Sequence, residues 1–253
     1  MNSLIINADD FGINEVVTKE IEKQIEQGTV SSTTVMANGA CLEEVKHFAA
    51  IHPETSFGVH LCLSEFDSIT KSEALHKAGL TDEEGRFVRM AIFRLKNLNN
   101  ANVRRAIYDE LSAQIDVVSN LGFPISHADS HHHVHTIYPL RDVFAKVLHE
   151  RGIQKLRLGG DFRSWRMKAH IRKWWHRIQL NRFYRESFTT TDLFMSYREF
   201  VNKGCALNGE DTIELMCHPG HPAKKYSDEM KLVKEKVAIC NENVRIISYK
   251  DLL

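Results

Sequence analysis

Apolar positions in this chain fall into short runs that alternate between two periods. "SLIIN" (3–7) is a brief continuous apolar run bounded by polar residues and predicts a buried strand. Over 14–27, Val16, Val17, Ile21 and Ile25 recur at helical spacing, and Gly28 stands where such a helix ends. "SSTTVMA" (31–37), rich in β-branched residues, predicts a second strand; "LEEVKHFAAI" (42–51) predicts a helix with Pro53 just beyond it. "SFGVHLCL" (56–63) predicts a third strand. Residues 64–100 lose the alternation and read as an inserted loop with a short helix. After them come an amphipathic helix (102–121), the strand-like "ISHADS", the helix "YPLRDVFAKVLHERG" and the strand "KLRL". "TIELMCHPG" and "VRIISY" predict the last strands, with the helix "SDEMKLVKEKVAICNE" between them. Strands and helices that alternate through short connections imply parallel pairing by right-handed crossovers. The pattern fits a parallel (β/α) barrel or an open doubly wound sheet, in one domain over 1–253 with insertions around 64–100 and 159–190.

Composition narrows the function classes. Lys+Arg and Asp+Glu both number 33, so global charge supports neither a nucleic-acid nor a membrane partner. No apolar stretch approaches the roughly 18 residues of a membrane span, and "MNSLIINADDF" lacks the features of a signal peptide. Five scattered cysteines without a CxxC pair suggest reduced thiols and a cytoplasmic protein. One stretch departs from the balance: 162–185 carries eight Lys/Arg and the three tryptophans Trp165, Trp174 and Trp175. It reads as a helical excursion packing on the body or on a second subunit in a homodimer. An acidic ligand, RNA or a lipid surface is the competing reading.

Candidate chemistry gathers at the expected strand ends, where parallel α/β folds bind ligands. Asp9 and Asp10 follow "LIIN", His60 closes "SFGVH", Asp129 and His131 follow "ISHA", and His218 follows "TIELMC". Two adjacent carboxylates after a buried strand need a cation or helix N–H groups as compensation. A turn or helix cap accounts for them equally well. Alone, His60 reads as a hydrogen-bonded core histidine and His218 as a turn residue. "HADSHHHVH" (127–135) holds five of the fourteen histidines. Were 125–133 extended, His127, Asp129, His131 and His133 would share one face. A carboxylate with two imidazoles is a common set for a first-row metal, with positions left open for water and substrate.

"LIINADDFG", "SSTTVMANG", "GVHLCL", "HADSHHHVH", "ELMCHPG" and "IISYKDL" occur in this order from about residue 4 to 252. In them the chain resembles the YdjC-like carbohydrate deacetylases, which include chitooligosaccharide deacetylases. The resemblance implies a distorted (β/α) barrel of the glycoside hydrolase/deacetylase type with mostly parallel strands. It implies a metal-dependent hydrolase that removes the acetyl group from N-acetylated mono- or oligosaccharides, releasing acetate and an amino sugar. One divalent ion, Mg2+ or alternatively Zn2+, would be held by Asp10, His60 and His131. Asp9 would be the catalytic base and His218 the general acid, with Asp129 and His133 orienting ligands or facing substrate. The alternative is a non-catalytic sugar- or metal-binding module of the same fold.

Overall fold

The first apolar run becomes the centre of the molecule. In the computed structural model, which describes residues 1–159, 171–203, 211–240 and 244–253, that run extends into β1 (Asn2–Phe11). Leu4, Ile5, Ile6 and Ala8 are all fully buried, so both faces of β1 are covered, as in the middle of a parallel sheet. There follow α1 (Glu15–Glu26), β2 (Ser32–Val35), α2 (Leu42–Ile51), β3 (Ser56–Leu61) and a short α3 (Glu73–Lys77). Next come α4 (Ala101–Ser119), β4 (Ala128–Ser130), α5 (Arg141–Glu150) and α6 (Ile171–Ser187). The described chain continues through β5 (Leu193–Ser196), α7 (Tyr197–Lys203), β6 (Thr212–Cys217), α8 (Glu229–Ile239) and β7 (Val244–Ile247). The Asn14 side chain caps α1 by accepting the Val17 N–H, and Asn100 caps α4 likewise.

All ladders are parallel, in the order β4-β3-β2-β1-β6-β5 with β7 also on β1. One edge of β1 gives residues 3–8 to β6. The other is divided end to end, 2–5 to β7 and 7–11 to β2. Beyond β4 the curl continues through single bridges, Ala128 to Leu156 and Lys155 to Thr189. The sheet is thus a curled half-barrel with helices outside, the expected distorted barrel. An apolar cluster running from Leu4 to Val233 fills the space between sheet and helices.

Several expectations need correction. "KLRL" forms isolated bridges, not a ladder strand. β5 and α7 arise where no regular element was expected. β4 stops at Ser130, short of the extended run through 133, because the next residues coil. Cys240 is disulfide-bonded while Cys41, Cys62 and Cys217 are free and buried, so the cysteines do not argue for a reducing compartment. Of the basic segment, 162–170 with Trp165 lies outside the described residues, and the rest belongs to α6, where Trp175 is exposed. No helix among the described residues is long and apolar enough to cross a membrane.

One close approach fixes the strands that carry the site. A Cβ at Gly58 of β3 would stand 2.6 Å from the His127 ring and 2.7 Å from its carbonyl oxygen. Glycine there lets β3 lie against the chain entering β4 and sets His60 beside Asp129 in register.

Candidate active site

Adjacent residues in a strand normally face opposite sides, yet Asp9 and Asp10 both serve one end of the barrel. The ladder with β2 shifts register between Ala8 and Phe11, and Asp10 takes a left-handed φ of 71°. This bulge turns Asp10 while leaving Asp9 on the same face as Asn7, whose amide donates to Asp9 Oδ1 at 3.0 Å. Both aspartates are buried.

Asp10 Oδ1 lies 3.2 Å from His60 Nε2 and 2.8 Å from His131 Nδ1. Each imidazole also meets a carboxylate with its second nitrogen. His60 Nδ1 is 2.6 Å from Asp129 Oδ1, and His131 Nε2 is 3.2 Å from Glu65 Oε2. Burial would lower the His60 pKa, but the Asp129 and Asp10 carboxylates outweigh it and hold it well above the ordinary value. Burial would raise the Asp10 pKa, yet hydrogen bonds from His131 and His60 take it well below the usual range. Asp10, His60 and His131 can each offer one donor atom within 4.8 Å of the others.

Behind this cluster stands Arg157, the largest fully buried side chain among the described residues. Its guanidinium grips Asp9 with both terminal nitrogens, at 2.7 and 2.6 Å. Nη1 also lies 2.6 Å from Asp129 Oδ2, and Nε donates to Glu214 Oε1 at 2.7 Å. Burial favours a protonated Asp9, but the guanidinium prevails and holds its carboxyl far below the normal carboxylate range. At Glu214, 2.6 Å from the Tyr249 hydroxyl, burial prevails over the arginine and pushes the pKa up to about 7.

His218 approaches from the end of β6. Its Nε2 is 4.0 Å from Asp9 Oδ2 and its Nδ1 is 3.8 Å from Glu229 Oε1, while its ring stacks on Tyr226 at 4.5 Å. Burial would lower its pKa; Glu229 and then Asp9 reverse that and raise it. Glu229 also accepts the His218 backbone N–H at 2.8 Å, fixing the turn that follows the strand.

The histidine run divides by position. His127 is structural: its Nε2 is 3.0 Å from Asn7 Oδ1, and its ring stacks on Tyr249 at 3.7 Å. His132 and His133 both adopt left-handed backbone, with φ of 53° and 56°. That coil ends the strand alternation and swings the His133 ring against Phe194 at 5.6 Å. Burial, with Arg157 next in weight, pushes the His133 pKa down to about 3. His132 Nδ1 lies 2.9 Å from Ser64 Oγ, and His135 is buried against Tyr184.

The structure therefore brings Asp9, Asp10, His60, Asp129, His131 and His218 into one buried centre, with His133 at its side. Sequence reasoning missed Arg157, Glu214, Glu229 and Glu65. The available signal was a charge set between apolar residues, Arg157 between Leu156 and Leu158 in "KLRL" and Glu214 in "TIELMC", since such a charge requires partners once its segment is buried. Glu65 lay in the segment read as an insertion.

A parallel barrel with an Asp–His–His cluster at the C-terminal ends of its strands defines the architectural class. Within it, the sequence pattern of the family described as YdjC-like protein matches residues 3–247, and the chain belongs to that family. It is 28% identical to the carbohydrate deacetylase of Vibrio parahaemolyticus, over 94% of this chain and 84% of that protein. It is 26% identical to the chitooligosaccharide deacetylase of Klebsiella pneumoniae, over 98% of each chain. A crystal structure from Enterococcus faecalis superposes with a TM-score of 0.75 at 24% identity, covering 99% of this chain and 98% of that one, which establishes the shared fold.

Proposed function

We propose that the protein is a metal-dependent hydrolase that removes the acetyl group from an N-acetylated sugar, releasing acetate and an amine. The observation that carries this reading is the pair of histidines flanked by carboxylates on both ring nitrogens. A neutral imidazole donates one hydrogen bond, so Asp10 can be satisfied on its side only by extra protons or by a cation. A divalent ion held by Asp10, His60 and His131 meets that need, with Asp129 and Glu65 accepting from the far nitrogens and fixing each ring. When bound, such an ion supplies Lewis-acid polarisation of a carbonyl and lowers the pKa of a water.

The chain's own groups fit the remaining steps. Asp9 is held anionic by Arg157, the form that accepts a proton from an attacking water. In His218 the raised pKa favours the protonated ring, which can hand a proton to the departing nitrogen, so that it leaves as a neutral amine. Opposite shifts on neighbouring groups of this kind divide the base role from the acid role. His133, kept neutral, packs against Phe194 within electrostatic reach of Asp9 and would face the substrate. Two imidazoles and one carboxylate suit Zn2+ by donor softness, and the family resemblance favours Mg2+. Elemental analysis of untagged protein separates the two.

Purified protein should release acetate from N-acetylglucosamine or its oligomers, lose that activity to a chelator and recover it with a divalent salt. Sugar binding without acetate release under any divalent metal would overturn the reading in favour of a binding module. A second expectation follows from Glu65. Glu65→Gln should weaken metal binding about 10–100-fold, measured by competition with a chromophoric chelator, because the His131 ring loses its anionic partner. Unchanged affinity would remove Glu65 from the metal's support.

A further inference from the structure

Two bulky apolar residues between β3 and α4 hold left-handed backbone conformations, Phe66 at φ 67° and Met90 at φ 59°. Such angles are strained for large side chains and persist only where the surroundings impose them. Here they do. The Phe66 carbonyl accepts the Phe87 N–H at 2.8 Å, the Ser68 N–H donates to Gly85 at 2.9 Å, and the Met90 N–H donates to Ser64 at 3.1 Å. Asp67 bridges Arg86 through the backbone and by an ion pair of 2.9 Å. Folding usually turns a phenylalanine inward, yet this clamped loop leaves Phe66 38% exposed. Its ring centroid stands 6.0 Å from that of His131, at an interplanar angle of 57°. Among the described residues the other rings near His131 are His60 and His132, both polar, so Phe66 supplies the apolar aromatic surface at that edge of the Asp–His–His cluster.

We infer that Phe66 is a positioning residue for the substrate, a platform on which the apolar C–H face of the acetylated pyranose rests. The inference builds on the deacetylase reading above. In an N-acetyl sugar the carbonyl carbon is joined to the ring through a single nitrogen. With that carbon engaged at the cluster, the ring must lie against the neighbouring surface, where Phe66 stands beside His131. An apolar wall with a few fixed polar groups is the usual construction of such a pocket.

The test compares wild type, Phe66→Ala and Phe66→Trp on di-N-acetylchitobiose, with inhibition by acetohydroxamate as a probe that has the acetyl carbonyl but no ring. Phe66→Ala should raise KM about tenfold with kcat nearly unchanged. Bound metal and acetohydroxamate inhibition should stay at wild-type levels, and Phe66→Trp should restore KM. An unchanged KM in an active Phe66→Ala enzyme overturns the inference alone. So does a parallel loss of acetohydroxamate inhibition or metal, which would mark a collapsed site. A wild type inert toward every acetylated sugar overturns the deacetylase reading, and the platform with it.

Discussion

Arg157→Met should destabilise the protein by about 3–5 kcal/mol, enough to unfold a marginally stable domain at ordinary temperatures. The side chain is fully buried and is shared by Asp9, Asp129 and Glu214. Removing it leaves three buried carboxylates facing one another without their cation, and a methionine of similar length replaces the volume but not the charge. Arg157→Lys restores a charge but not the planar fork that meets Asp9 with two parallel hydrogen bonds, so its loss should be smaller and still clear. Urea denaturation followed by circular dichroism measures both. A wild-type midpoint for Arg157→Met would show that the carboxylates find protons instead, and the description of the network would have to change. Glu214 is the first group to do so, its pKa already being near neutrality.

The second large effect separates the two adjacent aspartates. Asp9→Asn should lower turnover by about 10²–10⁴-fold while the protein keeps its metal, because the amide cannot take a proton from water. His218→Ala should behave in the same way through loss of the acid. Asp10→Asn should lose turnover and bound metal together, since the charged oxygen between His60 and His131 is gone. Metal content by mass spectrometry beside acetate release distinguishes the cases. Metal loss in Asp9→Asn with retention in Asp10→Asn would exchange the two roles.

Much of the framework was legible in local sequence. The helix at 42–51 coincides with α2, and the strand and helix order from β1 through α5 follows the expected alternation. Hydrophobic periodicity reports such elements because burial of one face is decided within a few neighbouring residues. The candidate ligands were legible for a related reason. Polar groups at the ends of apolar strands are conspicuous, and a parallel barrel collects those ends at one place.

What the sequence left open depends on partners distant along the chain. β5, with Leu193, Phe194 and Met195 buried, is too short for its alternation to stand out and is defined by its pairing with β6. The histidine run reads as one extended face until the backbone coils left-handed at His132 and His133, which takes His133 out of the alternation and sets its ring against Phe194. Nothing in "KLRL" names the partners of Arg157 until folding sets it against Asp9, 148 positions away, and against Glu214 of β6. By itself the sequence determined the alternation of elements and which side chains were chemically able to serve. The tertiary structure decided which carboxylate carries an arginine and which lies between two imidazoles, because buried charges are stable only with partners that long-range pairing brings into contact.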